Sequence, residues 1–345
     1  MKLGIIGLDG AGKSTLFEAL TKVPSEGMAA KAADRFGTIR VPDGRIDWLT
    51  DLYQPRKTTY AQIEYYLPGL AGFGQGKQKD EAVLTQVRSC DALVHVVRNF
   101  TAYGLEPPAP AGDFQRLDQE MMFADLLVVE KRLERLILDK KRGRDLAPDE
   151  EALLTRCKEM LEKEIPLRRH PEVAGSKLLR GFTLLSAKPQ LVLFNNHEED
   201  ADLPAAGTVL EQEKCLAVRG KVEQELASMS AEDAAEFLRE FGIATSAMDR
   251  VIAASYELLG LISFFTVGLD EVRAWTIRRH TAALDAAEVI HSDIKKGFIR
   301  AEVLAYDDLV AAGSYKEARN RGTVRLEGKT YEVRDGDIIE FRFNV

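Results

Sequence analysis

One short stretch near the start of the chain constrains the fold more than any other. Gly7, Gly12, Lys13 and Ser14 satisfy the pattern G-x-x-x-x-G-K-[ST]. The apolar residues 2–6 before it predict a short buried strand, and residues 15–20 predict an amphipathic helix. Glycines between a strand and a helix let successive backbone N–H groups point at phosphate oxygens without an intervening Cβ. The stretch therefore predicts a phosphate-binding loop rather than a glycine-rich turn with a stray lysine.

Each part of this loop has an expected chemical role. Lys13 neutralises the β- and γ-phosphates of a nucleotide, the Ser14 hydroxyl ligates Mg²⁺, and the helix N-terminus adds its positive dipole end. The residues expected to contact the nucleotide here are contiguous: Asp9, Gly10, Ala11, Gly12, Lys13, Ser14 and Thr15. The expected ligands are a purine nucleotide and Mg²⁺, with Ser14 as the metal ligand.

Two further apolar runs predict buried strands of the same sheet. They cover residues 92–97 (ALVHVV) and 191–194 (LVLF), and each precedes a polar turn. The predicted fold class is therefore α/β, a P-loop NTPase domain with a doubly wound, mainly parallel sheet. Because ligands of such sheets lie beyond the carboxyl ends of the strands, the polar run 195–198 should lie near the bound base.

That polar run, Asn195-Asn196-His197-Glu198, differs from the Asn-Lys-x-Asp motif of a typical guanine site. Glu198 is one methylene longer than aspartate, so it would crowd the guanine 2-amino group, which adenine lacks. Asn195 can brace the loop and contact the purine edge, and Asn196 and Glu198 complete the predicted set. We therefore expect ATP in preference to GTP; a GTP site and an ordinary asparagine-rich turn are the alternatives.

Composition narrows the class of protein. A chain of 345 residues is long enough for two or three domains, and a net charge of −8 argues against broad coating of DNA. The three cysteines are far apart and fit a reducing compartment. The apolar run after Lys2 stops at Asp9, and no run approaches the roughly 20 apolar residues of a membrane span. We expect a cytoplasmic protein that binds neither membrane nor DNA.

Patterns in the middle and at the end of the chain predict further domains. Apolar residues from Met122 to Leu136 and from Leu153 to Met160 recur at three- and four-residue spacing, which predicts two antiparallel helices rather than one core-facing helix. Residues 323–333 predict a β-hairpin across a Glu-Gly turn, and the last strand should bring Ile338, Phe341 and Phe343 to a small core. Residues 284–297 predict one helix that ends at a glycine.

The chain as a whole resembles the Obg-like ATPase family, also called YchF. The resemblance rests on the opening KLGIIGLDGAGKSTLFEALTK, on the tetrad 195–198, and on the C-terminal stretch from MDRVIAASYELLGLISFFTVGLDEVRAWTI to DGDIIEFRFNV. It implies a nucleotide domain over residues 1–112 and 183–261, a coiled-coil-like helical arm over 113–182, and a TGS domain of ubiquitin-like β-grasp fold over 262–345. It also implies ATP preference, use of Mg²⁺ and association with the ribosome.

The TGS region also contains basic residues that would suit an RNA surface. They are Arg278, Arg279, Lys295, Lys296, Arg319 and Arg321. An ordinary solvated surface explains them equally well.

The chain departs from the family pattern where the switches should be. The family has Asp-x-x-Gly in switch II; here Gly69 is present, but Tyr66 or Leu67 occupies the aspartate position. In switch I, Phe36 stands where a threonine closes on Mg²⁺, and Thr38 is the nearest substitute. Leu70 follows Gly69, where the family itself has a hydrophobic residue, so it is not a departure; no side-chain base for the attacking water is visible, and catalytic residues stay unassigned.

The sequence therefore predicts nucleotide binding with slow or negligible hydrolysis. The first hypothesis is a slow ATPase that acts as a nucleotide-dependent switch in ribosome- or translation-associated processes. The alternative is a non-hydrolysing nucleotide-binding scaffold, or a GTP-binding protein, that docks on RNA or protein through the arm and the TGS domain. A small-molecule kinase fits less well because no lid for an acceptor substrate is evident, and RNA binding without nucleotide would leave the opening loop unexplained.

Overall fold

The computed structural model describes residues 1–22, 33–69, 77–144, 147–240 and 245–344. The chain divides into two compact units. The first contains Met1–Thr38 and Glu64–Val251, and the second contains Ile39–Ile63 and Ile252–Val345. No helix among the described residues is long and apolar enough to cross a membrane.

The strands and helices alternate through most of the chain. The strands are β1 Lys2–Ile6, β2 Arg35–Arg40, β3 Lys57–Thr59, β4 Gln62–Leu67, β5 Ala92–Asn99, β6 Gln190–Asn196, β7 Lys214–Val218, β8 Leu261–Thr266, β9 Glu271–Arg278, β10 Phe298–Ala305, β11 Arg325–Glu327 and β12 Asp337–Phe343. The α-helices are α1 Lys13–Thr21, α2 Gly44–Tyr53, α3 Lys77–Val87, α4 Pro110–Lys141, α5 Glu150–Glu162, α6 Pro171–Ala174, α7 Thr208–Gln212, α8 Gly220–Ser228, α9 Ala231–Glu240, α10 Ala247–Leu258, α11 Ala283–Ile290, α12 Ser292–Lys296, α13 Tyr306–Ala312 and α14 Tyr315–Asn320. Short 3₁₀ helices cover Leu167–Arg169 and Lys177–Phe182.

A six-stranded sheet with the order β2-β4-β1-β5-β6-β7 forms the centre of the first unit. The pairings of β1 with β4 and β5 are parallel, and so are those of β6 with β5 and β7. Strands β5 and β6 are buried along almost their whole length, as expected for apolar runs covered on both faces. The predicted α/β class with a mainly parallel sheet is confirmed.

Strand β6 is longer than its apolar run. It continues through Asn195 and Asn196, which pair with Arg98 and Asn99 of β5. The polar side chains therefore begin on the strand itself and not in the turn after it. This rigid position at the carboxyl edge of the sheet matters for the site described below.

The arm contains the predicted pair of helices, α4 and α5, and they pack along the apolar seam. Met122, Val129 and Leu136 of α4 are buried with Leu154 and Cys157 of α5 in one cluster. Leu154, rather than Leu153, is the fully buried residue of its pair. Repetition at three- and four-residue spacing places these side chains on one face of each helix, which explains the seam.

A buried carboxylate fixes the base of the arm. Asp125 of α4 is fully buried and accepts hydrogen bonds from the Leu185 and Ser186 backbone N–H groups and from the Ser186 hydroxyl. The Arg88 guanidinium lies 2.9 Å from the same carboxylate. Three donors and a cation offset the cost of removing this charge from water.

The second unit contains a six-stranded sheet with the order β11-β10-β12-β8-β9-β3. Strand β3 lies at its edge and pairs in parallel with β9, so that Lys57 lies opposite Glu271. We predicted residues 1–112 as part of the nucleotide domain, whereas Ile39–Ile63 belong to this second compact unit. The reason is the β3–β9 ladder, which joins two segments far apart in sequence.

Three local predictions for the C-terminal region were wrong. Residues 284–297 form two helices, because His291 is extended and its ring Nδ1 accepts a hydrogen bond from the Asp293 N–H, which caps α12. Strand β11 pairs with β10 and not with the residues after the Glu-Gly turn. In β12, Ile338 and Phe341 are buried as predicted, but Phe343 is exposed.

Candidate functional site

The loop between β1 and α1 has a backbone that only glycine accepts at two points. Gly7 has φ of 155° and Gly12 has φ of 91°. A Cβ on Gly12 would lie 2.2 Å from Asn195 Nδ2, and one on Gly7 would lie 2.4 Å from the Val96 carbonyl oxygen. The loop is thus held close to the carboxyl ends of β5 and β6, where parallel sheets bind their ligands.

Lys13 is the charged centre of this loop. Its side chain is buried, and its Nζ donates a hydrogen bond to the Leu8 carbonyl oxygen at 2.6 Å. Burial lowers the pKa of the Lys13 ammonium from 10.5 to about 8, and the nearby Asp9 carboxylate opposes this shift. A poorly solvated cation attracts an anionic ligand more strongly than a cation in water does. The burial of Lys13 therefore favours phosphate binding at this position.

The other residues of the predicted loop lie around Lys13. Asp9 accepts a hydrogen bond from the Gly10 N–H at 3.1 Å, and Ala11 is buried with its N–H bonded to the Leu8 carbonyl. Ser14 and Thr15 lie in the first turn of α1. The Ser14 hydroxyl accepts a hydrogen bond from Arg35 Nη2 at 2.8 Å, a contact that the sequence analysis did not anticipate.

Asn195 braces the loop from the end of β6. Its Nδ2 donates to the Ala11 carbonyl oxygen at 3.1 Å, and its Oδ1 accepts from the Gly220 N–H at 2.9 Å. The side chain is buried, and both of its polar ends are satisfied. One amide therefore joins the phosphate loop to the start of α8.

The other two predicted site residues of the tetrad, Asn196 and Glu198, have different surroundings. Asn196 donates to the Asp200 and Asp202 carbonyl oxygens and accepts from Asn99 Nδ2, so its amide orders the loop after β6. Glu198 is exposed, and its carboxylate accepts from the Lys221 ammonium at 2.6 Å. This hydrogen bond lowers the pKa of Glu198 and keeps the carboxylate ionised.

Gly69 lies at the predicted switch II position, and its backbone N–H is occupied. It donates to Asp34 Oδ1 at 2.9 Å. In the family pattern the corresponding N–H donates to the γ-phosphate. Here the Asp34 carboxylate accepts the hydrogen bond from that N–H instead. Leu70, which follows Gly69, lies outside the described residues.

The aromatic residues at the altered switch positions pack against each other. The rings of Phe36 and Tyr66 are stacked with their centroids 4.8 Å apart, and the Lys2 ammonium lies over both rings. Tyr66 is buried in an apolar cluster with Val83 and Val87 of α3. Neither ring offers an oxygen ligand of the kind that Mg²⁺ prefers.

The basic residues considered for an RNA surface are largely engaged in ion pairs. Lys295 pairs with Asp285 and Glu288, and Lys296 pairs with Asp293. Arg319 pairs with the buried Glu302, and Arg321 with Glu317. Local carboxylates thus pair with four of the six basic residues, which favours a solvated surface over a basic patch for these four.

Comparison with known proteins agrees with the architecture described above. The ribosome-binding ATPase YchF of Bacillus subtilis (strain 168) is 38% identical over 99% of this chain and 99% of its own length. The chain belongs to the YchF family of Obg-like ATPases. Obg-like ATPase 1 of Oryza sativa subsp. japonica is 35% identical over 100% of this chain and 92% of its own length. The predicted family resemblance is confirmed.

A solved structure and two family models support the same membership. The YchF GTPase of Schizosaccharomyces pombe superposes with a TM-score of 0.84 at 29% identity, over 99% of this chain and 97% of its own. Residues 2–132 match the MMR_HSR1 model, "50S ribosome-binding GTPase". Residues 261–344 match the YchF-GTPase_C model, "Protein of unknown function (DUF933)".

Membership of the YchF family implies a bound nucleotide and typically Mg²⁺, and the donor atoms described here suit only the first. The hydroxyl expected to ligate the metal, that of Ser14, faces the Arg35 guanidinium. At the switch II position Tyr66 and Leu67 offer no carboxylate, and the Asp34 carboxylate there is engaged with the Gly69 N–H. The described ranges contain no group of three or more His, Cys, Asp or Glu that could hold a metal ion. The residues therefore fit a phosphate chain but do not fit Mg²⁺.

Sequence reasoning missed the residues that reach the site from elsewhere in the chain. Asp34 directly precedes β2 and Arg35 is the first residue of that strand, and Lys221 comes from the start of α8. The signal for Arg35 was a basic residue immediately before Phe36, at a position already noted as unusual. Nothing in the local pattern could assign its partner.

Proposed function

We propose that this chain is a purine-nucleotide-binding P-loop protein that prefers ATP, hydrolyses it slowly and acts as a nucleotide-dependent switch at the ribosome. The observation that carries the proposal is the complete phosphate loop, in which the buried Lys13 is poised for an anion and Asn195 braces the backbone. The relatives named above as ribosome-binding ATPases supply the partner.

The preference for adenine rests on the length of the Glu198 side chain. A matched pair of variants tests it: Glu198→Asp shortens the carboxylate at the base position, and Glu199→Asp makes the same change at the next residue, which is also exposed. Titration of labelled ATP and GTP should show ATP preference in the wild type and in Glu199→Asp, and a shift towards GTP in Glu198→Asp. Equal affinity of the wild type for both nucleotides would contradict the preference.

Slow hydrolysis follows from the contacts at switch II. Phosphoryl transfer depends on positioning and charge neutralisation, and here no carboxylate is present at Tyr66 or Leu67 to hold a metal-bound water. We expect single-turnover ATP cleavage by the free protein to be far slower than the typical enzymatic range of about 1 s⁻¹ and above. Cleavage within that range would contradict slow hydrolysis.

A non-hydrolysing scaffold is the second candidate, and the Asp34–Gly69 contact favours it. That carboxylate already bonds the N–H expected to meet the γ-phosphate, so a residue of this chain competes with the nucleotide for this donor. Addition of ribosomes separates the two functions: an accelerated ATP cleavage supports the switch. Nucleotide and ribosome binding with no cleavage at any ribosome concentration would instead support the scaffold.

The arm offers a surface for the ribosome at its tip. Lys141 is the last residue of α4 and Arg142 follows it; both are exposed, so they can approach phosphates of ribosomal RNA. The double variant Lys141→Glu, Arg142→Glu should weaken cosedimentation with ribosomes. The double variant Lys177→Glu, Arg180→Glu changes the same charge elsewhere in the predicted arm at exposed positions and should not. Equal effects of the two pairs would argue against the tip.

A further inference from the structure

The Arg35 guanidinium contacts Ser14, the residue of the phosphate loop that was expected to ligate Mg²⁺. Its Nη2 donates to the Ser14 hydroxyl at 2.8 Å, and its side chain is only 13% exposed. Ser14 follows Lys13 directly, so the Arg35 contact lies one residue from the lysine of the phosphate loop. The loop thus has a second fixed positive charge of its own.

Two contacts hold Arg35 in this position. Its Nη1 lies 3.4 Å from Glu18 Oε1, and its guanidinium lies over the Phe17 ring at 5.1 Å from the centroid. Both partners belong to α1, the helix that begins at the loop. The other oxygen of Glu18 accepts a 2.6 Å hydrogen bond from Gln224 of α8, so this carboxylate is shared and does not serve Arg35 alone.

This arrangement conflicts with Mg²⁺ at the same hydroxyl. Mg²⁺ binds its oxygen ligands at about 2.0–2.1 Å, so a metal on Ser14 would bring a divalent charge close to the guanidinium. Protein sites for Mg²⁺ usually include a carboxylate that balances the charge of the metal. The switch II position expected to supply this carboxylate holds Tyr66 or Leu67 instead. The cation already present satisfies the hydroxyl, and the carboxylate that lies at the switch II position, that of Asp34, is engaged with the Gly69 N–H.

We propose that Arg35, and not a divalent cation, neutralises the phosphates of the nucleotide together with Lys13, so that this site binds nucleotide without metal. A guanidinium carries several N–H donors in a planar fork that matches two phosphate oxygens, and it remains charged at every physiological pH. The inference rests on the proposed nucleotide binding. It makes Arg35 a binding residue and removes the metal from the requirements for binding.

Equilibrium titration of a fluorescent ATP analogue with the full chain tests this inference. We expect the wild-type affinity in EDTA and in millimolar Mg²⁺ to agree within about twofold. Removal of a charge-assisted hydrogen-bond donor by Arg35→Ala should weaken binding in EDTA at least about tenfold. Mg²⁺ should then restore part of the affinity, because the Ser14 hydroxyl is released. Arg40→Ala removes the same charge from an exposed position of the same strand and should change neither value.

The outcomes separate this inference from the proposed function. Wild-type binding that requires Mg²⁺, by tenfold or more, would overturn the inference and leave nucleotide binding intact. Absence of binding in both EDTA and Mg²⁺ would overturn the proposed function itself. If Arg35→Ala fails to fold, Arg35→Gln retains most of the side-chain volume without the charge and should show the same Mg²⁺ rescue. Wild-type affinity in the variants under both conditions would refute the role of Arg35.

Discussion

The protonation of Lys13 makes nucleotide affinity depend on pH in a defined direction. In the nucleotide-free protein the pKa of Lys13 is about 8, lowered by burial. A bound phosphate restores the ordinary pKa, so the complex takes up a proton above pH 8. The second pKa of a phosphate is about 6, so the ligand is fully ionised in this range. Affinity should therefore fall as the pH rises through 8.

The magnitude follows from the fraction of Lys13 that is protonated before binding. For a free pKa of about 8 and an ordinary pKa in the complex, affinity should fall about tenfold between pH 7 and pH 9. Two other buried groups do not titrate in this range: burial lowers the pKa of His95 to about 3 and raises that of Cys90 to about 11. Both groups keep their charge state across the titration.

Calorimetric titration of nucleotide at several pH values, in buffers of different ionisation enthalpy, measures both the affinity and the proton uptake. Lys13→Met should bind weakly and without the pH dependence, whereas Lys22→Met, an exposed lysine just after α1, should behave as the wild type. Affinity constant within twofold between pH 7 and pH 9, or a tenfold fall retained in Lys13→Met, would refute the reasoning.

The same group affects the stability of the nucleotide-free protein in the opposite direction. Because the folded pKa of Lys13 lies below its unfolded value of 10.5, the unfolded chain binds more protons between pH 8 and 10.5. The contribution of Lys13 to stability therefore rises with pH across this window, by about 3 kcal/mol in full. Affinity and stability should thus change with opposite sign above pH 8.

Three substitutions test the contacts that hold the site and the arm. Asn195→Ala leaves the Ala11 carbonyl and the Gly220 N–H without their partner, and urea unfolding should show a loss of about 2 kcal/mol together with weaker nucleotide binding. Asp125→Ala removes a fully buried carboxylate from its cation and should cost about 3–5 kcal/mol of unfolding free energy; a loss below 1 kcal/mol would mean that the buried pair does not fix the arm. Gly12→Ala forces a Cβ to 2.2 Å from the Asn195 amide at a φ of 91°, and it should abolish measurable nucleotide binding even where the variant remains folded. Retained wild-type affinity would show that the loop relaxes around the new methyl group.

Features encoded in contiguous residues were predictable from the sequence. The phosphate loop, the strands β1 and β5 and the helical pair of the arm each depend on residues within one or two turns or strands of each other. Their apolar spacing and glycine positions therefore indicate the structure directly. The break at His291 between two helices was not predicted, because the polar residue that caps the second helix does not interrupt the apolar pattern of the first.

Contacts between distant segments were not predictable in this way. The parallel ladder of β3 with β9 joins Lys57–Thr59 to Glu271–Arg273, and a three-residue strand has no pattern that names its partner. The brace from Asn195 to Gly220 and the bond from Asp34 to Gly69 arise in the same manner. The sequence indicated that the switch I threonine and the switch II aspartate were replaced. It did not indicate which side chains from other segments would lie at those positions.

The sequence by itself determined that this chain has a phosphate loop, and it showed that the carboxylate expected opposite that loop is absent. Only the tertiary structure decided what faces the loop instead, because the packing of β2 against α1 brings Arg35 to Ser14 across 21 residues of chain. The residues that flank a charged side chain in the sequence do not indicate which residue it will contact. Its role is set by the electrostatic environment that the fold assembles around it.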